Sequence, residues 1–378
     1  MDLTTSSTTI QTVATPSALL DLIFLPWPGH EHVFVTATST GTLSFYNLTS
    51  DSALSINLIY THQCIDTSIL LTDLEAHPDV PGLIGYVTSS GLVSIINFNL
   101  DLLITANDRG DHVPKPDLVR YHHSSPCADE GFEAWTLAFA PSQPSIADGN
   151  PRTVGVYTGS DDSTLRRLDF VLESDDPAHT SPQGSTKSDA NDDDEDDDKN
   201  DGIRTATLKM LDRRSHNAGV VAILPLSLPS TSPESSDEIM LTGSYDDHIR
   251  VLHRSSSAMT PHVRNSVLAE ENLGGGVWRL KMIDEAHQST GSEWIVLASC
   301  MHAGARVVRI TRTGGGEEGT GKWTVEVLAR FEEHRSMNYG SDVQPLRPGS
   351  DTGTGRGTRT VLSTSFYDRL MCLWRVER

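Results

Sequence analysis

The chain has 378 residues, 37% of them hydrophobic and 6% aromatic, and carries a formal net charge of -22. Such acidity argues against nucleic-acid binding through bulk electrostatics, because phosphate recognition needs a positive field. Residues 1–6 do not read as a secretory signal, no apolar run approaches the ~18 residues of a membrane helix, and Cys64, Cys127, Cys300 and Cys372 form no C-x-x-C pair, so a cytoplasmic protein with reduced thiols and no membrane partner is expected.

Short β-rich runs broken by Gly, Ser and Asp dominate the chain, and one phrase recurs: an apolar strand, small residues, a polar tight turn, a second apolar strand. The first copy pairs 33–39 with 43–47 after a strand at 19–25, and the second pairs 84–89 with 92–97 after 68–74. The third runs Val156-Tyr157-Thr158-Gly159-Ser160-Asp161-Asp162 into 165–168, following 134–140. The fourth runs Met240-Leu241-Thr242-Gly243-Ser244-Tyr245-Asp246-Asp247 into 249–252, following 220–224. A fifth pairs 295–300 with 307–310 after 277–282, and a sixth runs Leu362-Ser363-Thr364-Ser365-Phe366-Tyr367-Asp368 into 370–374 after a poorer strand at 339–343.

Outer strands at 58–61, 118–122, 205–211, 263–269 and 324–329 extend these units to four strands, and 8–13 reads as an outer strand completing the last blade. A repeated four-stranded unit is a propeller blade, and closing the ring removes exposed sheet edges. One all-β domain over 1–378 is therefore expected, a WD-repeat β-propeller with six recognisable four-stranded blades. The Trp-Asp blade ending has decayed to Leu168-Asp169, Leu252-His253 and Trp374-Arg375, so periodicity alone supports only a propeller-like chain. Residues 174–201 read as a disordered acidic loop inserted between blade-three strands. Twelve acidic residues and two lysines between 173 and 202 give about -10 of the net charge there, and such a run has nothing to build a core from.

In such blades the loop entering the first strand and the turn between the second and third lie on one face. Histidines entering blades brace aspartates in those turns, which accounts for His123 with Asp162, His216 with Asp247 and His334 with Asp368. Blade five breaks the pattern: its entering loop is Gly274-Gly275-Gly276, and its turn carries His302. His302 is thus the candidate general base, with the backbone N–H groups of Gly275 and Gly276 for an oxyanion and Asp246 to orient the imidazole. The aromatic residues Trp135, Tyr245, Trp278, Tyr339 and Tyr367, with Glu133, are the candidate substrate-binding set, since Trp and Tyr faces attract cations; ordinary packing at the channel mouth is the competing account. No G-x-S-x-G, phosphate loop or dinucleotide fingerprint occurs. His30-Glu31-His32 and His122-His123 with Cys127 lack a complete ligand set, so no metal and no cofactor are expected.

Taken together, Gly131-Phe132-Glu133-Ala134-Trp135, Gly159-Ser160-Asp161-Asp162, Thr242-Gly243-Ser244-Tyr245-Asp246-Asp247-His248-Ile249, Gly274-Gly275-Gly276-Val277-Trp278-Arg279-Leu280-Lys281, Cys300-Met301-His302, Tyr339-Gly340 and Ser365-Phe366-Tyr367-Asp368 resemble one family. It is the diphthine methyl ester hydrolases of diphthamide biosynthesis, WD-repeat proteins often called diphthine methyltransferases. The resemblance implies hydrolysis of the methyl ester of methylated diphthine on translation elongation factor two, which would be the partner. It also implies a further blade before the region matching 17–48, so either the ring closes with six blades or an N-terminal blade is missing. A non-catalytic WD-repeat scaffold is the alternative, because fold alone does not decide function.

Overall fold

A computed structural model describes residues 15–49, 55–109, 121–123, 132–141, 152–172, 206–228, 238–255, 264–314, 321–343, 358–365, 367 and 371–377. The acidic stretch 174–201 and the strand expected at 8–13 lie outside them.

Six antiparallel sheets follow one another along the chain. Blade one is β1 (Leu19–Phe24), β2 (Val33–Thr38), β3 (Thr42–Thr49) and β4 (Ser55–Gln63). Blade two is β5 (Leu71–Ala76), β6 (Leu83–Thr88), β7 (Val93–Asn97) and β8 (Tyr121–His123). Blade three is β9 (Ala134–Phe139), β10 (Arg152–Ser160), β11 (Leu165–Leu172) and β12 (Thr207–Asp212). Blade four is β13 (Val220–Leu226), β14 (Glu238–Ser244), β15 (His248–Ser255) and β16 (Arg264–Asn272). Blade five is β17 (Arg279–Gln288), β18 (Gly291–Ser299), β19 (Ala305–Thr313) and β20 (Lys322–Phe331). Blade six has three described strands, β21 (Asn338–Val343), β22 (Thr358–Ser365) and β23 (Met371–Glu377). Innermost strands β1, β5, β9, β13, β17 and β21 touch in succession, which is the β-propeller order the repeats predict. One element departs from expectation. A helix, α1 (Leu100–Arg109), precedes the outer strand of blade two, burying Leu100 and Leu103 against blade one.

The core lies between blades rather than inside one. Five apolar clusters each join two neighbours: Phe45 and Tyr86 across blades one and two, Val93 and Phe139 across two and three, Tyr157 and Met240 across three and four, Leu241 and Trp294 across four and five, Ile295 and Trp374 across five and six. Middle strands β2 (VFVTAT) and β14 (EIMLTGS) are buried along their whole length, because both faces of a sandwiched sheet meet protein. β1 is different. Leu20, Leu22 and Phe24 are 41%, 44% and 52% exposed, whereas β5 and β9 are almost wholly buried.

A β-bulge recurs at the start of the inner strands, with register shifts at 19/21, 71/73, 220/222 and 338/340 and opposite residues 134–136. A bulge adds an unpaired residue and re-aims its side chain. In blades three and six the extra residues are Trp135 and Tyr339.

Candidate functional site

The two bulges, one turn and one entering loop bring four rings together. Tyr245 comes from the β14–β15 turn and Trp278 stands immediately before β17. Trp278 is the hub: its ring centroid lies 5.5 Å from Trp135, 5.9 Å from Tyr245 and 4.9 Å from Tyr339, all tilted. Each ring is partly exposed. Four of the five aromatics expected on this face therefore converge, from blades three to six. The fifth, Tyr367, is 72% exposed; burial, and then Tyr367, raise the Tyr339 phenol above the usual range.

Backbone space sets the Tyr245 ring. A Cβ on Gly219 would stand 2.9 Å from Tyr245 Cδ2, and one on Gly276 would stand 3.4 Å from Cδ1 and 2.6 Å from Met301 Sδ. A Cβ on Gly275 would strike the Cys300 carbonyl at 2.3 Å. The glycine run is thus first a close-packing device that seats the β18–β19 turn and the Tyr245 ring. The Gly274 N–H is taken by Asn272 Oδ1 at 2.8 Å, while those of Gly275 and Gly276 find no acceptor among the described residues.

Two carboxylates flank the rings. Asp161 Oδ1 accepts the Trp135 indole N–H at 2.7 Å, and the Asp161 N–H donates to the Glu133 carbonyl at 3.3 Å. Burial raises both carboxyls above the usual range, with Asp161 adding to the rise at Glu133; the Trp135 bond opposes it at Asp161. Burial and then Asp161 also raise the Tyr245 phenol.

Beneath the rings the inner strands carry charges that sequence reasoning missed. Arg279 lies 5.4 Å from the Trp278 ring, donates to the carbonyls of Trp278 and Val221 (3.3 and 3.4 Å), and reaches Asp73 Oδ1 at 3.4 Å. Asp73 Oδ2 accepts the Leu137 N–H at 3.1 Å, so one carboxylate joins blades two, three and five. Burial holds Asp73 well above the carboxylate range against the opposing pull of Arg279, and pushes Glu75 to about 7. Lys281 feels Glu75 and Asp21, which outweigh its burial and raise it. The available signal was polar residues inside otherwise apolar strands, Asp21, Asp73, Glu75, Arg279 and Lys281.

The catalytic assignments fare unevenly. His302 is exposed at the tip of the β18–β19 turn and has no hydrogen-bond partner among the described residues. That turn is fixed. Met301 has φ +45°, and its carbonyl accepts the N–H of buried Asn338 at 2.8 Å, tying blade five to blade six. Asp246 is not available to orient His302. Its oxygens are taken by Arg250 (2.9 Å to each), the Asn217 N–H at 2.9 Å and the His248 N–H at 3.2 Å. Burial works against its charge, but these donors hold its carboxyl below the usual range.

The expected histidine–aspartate braces also differ. His216 Nε2 meets Thr242 Oγ1 at 2.8 Å, and His334 Nε2 meets Ser363 Oγ at 2.8 Å, which also accepts the Trp374 indole N–H at 3.1 Å. The brace partner is the strand hydroxyl. Asp162 instead binds Arg166, Ser160 and the Thr164 N–H; the side chains of His123 and Asp368 lie outside the described set. His30 of the first metal-like pattern pairs with Asp101 at 3.2 Å, and the side chains of His122, His123 and Cys127 are not among those described.

Fold and site define a β-propeller whose mouth is an aromatic cluster edged by carboxylates. No known protein-family profile matches the chain. Its sequence is similar to the diphthine methyltransferase of Schizosaccharomyces pombe, 25% identical over 360 residues that span 94% of this chain and 78% of that protein. Among solved structures, Sqt1 of Saccharomyces cerevisiae aligns over 97% of this chain and 86% of its own, at 14% identity and a TM-score of 0.49.

Proposed function

We propose that the protein acts in diphthamide biosynthesis, hydrolysing the methyl ester of methylated diphthine on translation elongation factor two in the cytoplasm. The observation that carries the reading is the Trp135–Tyr245–Trp278–Tyr339 cluster with Asp161 and Glu133 at its edge. Methylated diphthine carries a trimethylammonium group, and aromatic faces attract quaternary ammonium. The similarity to the S. pombe protein supports the same pathway.

In this reading water attacks the ester carbonyl carbon, the bond to methoxide breaks, and methanol leaves behind a free carboxylate. His302 takes the proton from the attacking water and returns it to the departing methoxide. The N–H groups of Gly275 and Gly276 hold the tetrahedral oxyanion. With Asp246 committed to Arg250, the imidazole orients without it. That imidazole, exposed and unpaired among the described residues, is the one observation favouring the second reading, a scaffold that grips the modified factor without chemistry.

The test incubates the protein with elongation factor two bearing methylated diphthine and follows the modified peptide by mass spectrometry. Loss of one methyl mass with release of methanol is expected. Gain of a methyl mass when a methyl donor is supplied would assign transfer instead. A stable complex with unchanged mass would leave the scaffold, and absence of any complex would overturn the reading.

A further inference from the structure

We propose that Asp161 is the charge-selecting group of the four-ring site, so that the site takes a fixed cation such as a quaternary ammonium and discriminates against a neutral group of the same shape. This rests on the cluster being a binding site and deepens that reading.

Aromatic rings alone are poor judges of charge. They bury branched alkyl groups well, and the cation–π increment at a partly exposed site is about 0.5–1 kcal/mol. A fixed anion beside the rings converts shape recognition into charge recognition, because a neutral ligand gains nothing from it while displacing its water. Asp161 is placed for this. Its Oδ1 accepts the Trp135 indole N–H at 2.7 Å. The same oxygen lies 3.2 Å from the point where a Cβ on Gly219 would stand, and that point is 2.9 Å from Tyr245 Cδ2. The carboxylate thus borders the Trp135 ring and lies near the Tyr245 ring.

Its electrostatic situation differs from that of two other turn aspartates, Asp162 and Asp246. Asp162 is neutralised by Arg166 and Asp246 by Arg250. Among the described residues no lysine or arginine pairs with Asp161 or with Glu133, whose carbonyl accepts the Asp161 N–H. Among the described residues, the exposed Asp161 and the partly buried Glu133 beside four aromatic rings therefore have no paired lysine or arginine as counter-ion. A ligand cation supplies it.

The experiment titrates the whole chain with choline and with its neutral carbon isostere 3,3-dimethylbutan-1-ol, reading tryptophan fluorescence. Wild type is expected to prefer choline. Asp161→Asn keeps an acceptor for the Trp135 indole and removes the charge; it should weaken choline by about fivefold and leave the isostere within about twofold. Glu133→Gln, which leaves the indole bond untouched, should lower choline affinity less and again spare the isostere. Equal weakening of both probes by Asp161→Asn, or no change in either, overturns the proposal. If wild type binds both probes alike while Trp278→Ala weakens both, the ring site stands and the Asp161 assignment falls. If wild type binds neither, the ring site falls and the Asp161 assignment with it.

Discussion

Arg279 of blade five meets Asp73 of blade two, guanidinium nitrogen to carboxylate oxygen, at 3.4 Å. Both side chains are largely withdrawn from water, at 15% and 10% exposure. Removing one partner leaves the other's polar group buried without it, which costs about 1–3 kcal/mol. Asp73→Asn and Arg279→Leu should each lower the free energy of urea unfolding by an amount of that order. The double variant should lose less than the sum, which a double-mutant cycle measures.

Glu75 makes a separate, pH-dependent contribution. Burial pushes its carboxyl from 4.5 to about 7 despite Lys281 and Arg279 nearby, with Asp21 adding to the rise. An acid whose folded pKa is raised binds its proton more tightly in the native state. Its stabilising contribution is complete below the unfolded value and is lost as pH rises from about 4.5 through about 7. Glu75→Gln should flatten that part of the stability profile, measured as melting temperature against pH. An unchanged slope would remove Glu75 from the account.

Gly219→Ala should damage the mouth more than the fold. Its Cβ would stand 2.9 Å from Tyr245 Cδ2 and 3.2 Å from the Asp161 Cα and Oδ1. Overpacking of this kind costs about 1–3 kcal/mol when neighbours cannot yield. Here the Tyr245 ring yields, because it is partly exposed. A small drop in melting temperature with a larger loss of choline affinity is expected; the reverse balance would mean that Gly219 serves stability alone.

Turnover separates the two functional readings. If the protein hydrolyses the ester, His302→Ala should lower kcat by about 10²–10⁴ without a change in melting temperature, since the side chain is exposed. Trp278→Ala should act chiefly on KM, weakening substrate by about fivefold for a partly exposed cation–π contact. Near-full turnover in folded His302→Ala removes the general-base assignment.

The blade repeats were legible because each β2–β3-type hairpin needs a tight polar turn, and Gly159-Ser160-Asp161-Asp162 and Gly243-Ser244-Tyr245-Asp246-Asp247 announce one. The aromatic residues were legible as a set because their blade positions share a face. The bulges that aim Trp135 and Tyr339 leave no mark in composition or period, so the reason these two rings reach the hub was hidden. Asp246 was misassigned because a turn aspartate looks alike whether it faces a ligand or, as here, Arg250 four residues on. The Asp73–Arg279 contact was invisible for a different reason: the residues are far apart in sequence, and each alone reads as an odd polar residue in an apolar strand.

The side chains of β1 bear on how the molecule behaves in a tube. Leu20, Leu22 and Phe24 leave a greasy stripe on the first blade that the neighbouring inner strands do not show. Apolar stripes of this kind are adhesive. Light scattering should find single particles in dilute solution and reversible clusters as concentration or sulfate is raised, and Leu22→Lys with Phe24→Thr should keep concentrated samples monodisperse while leaving the mouth on blades three to six unaltered.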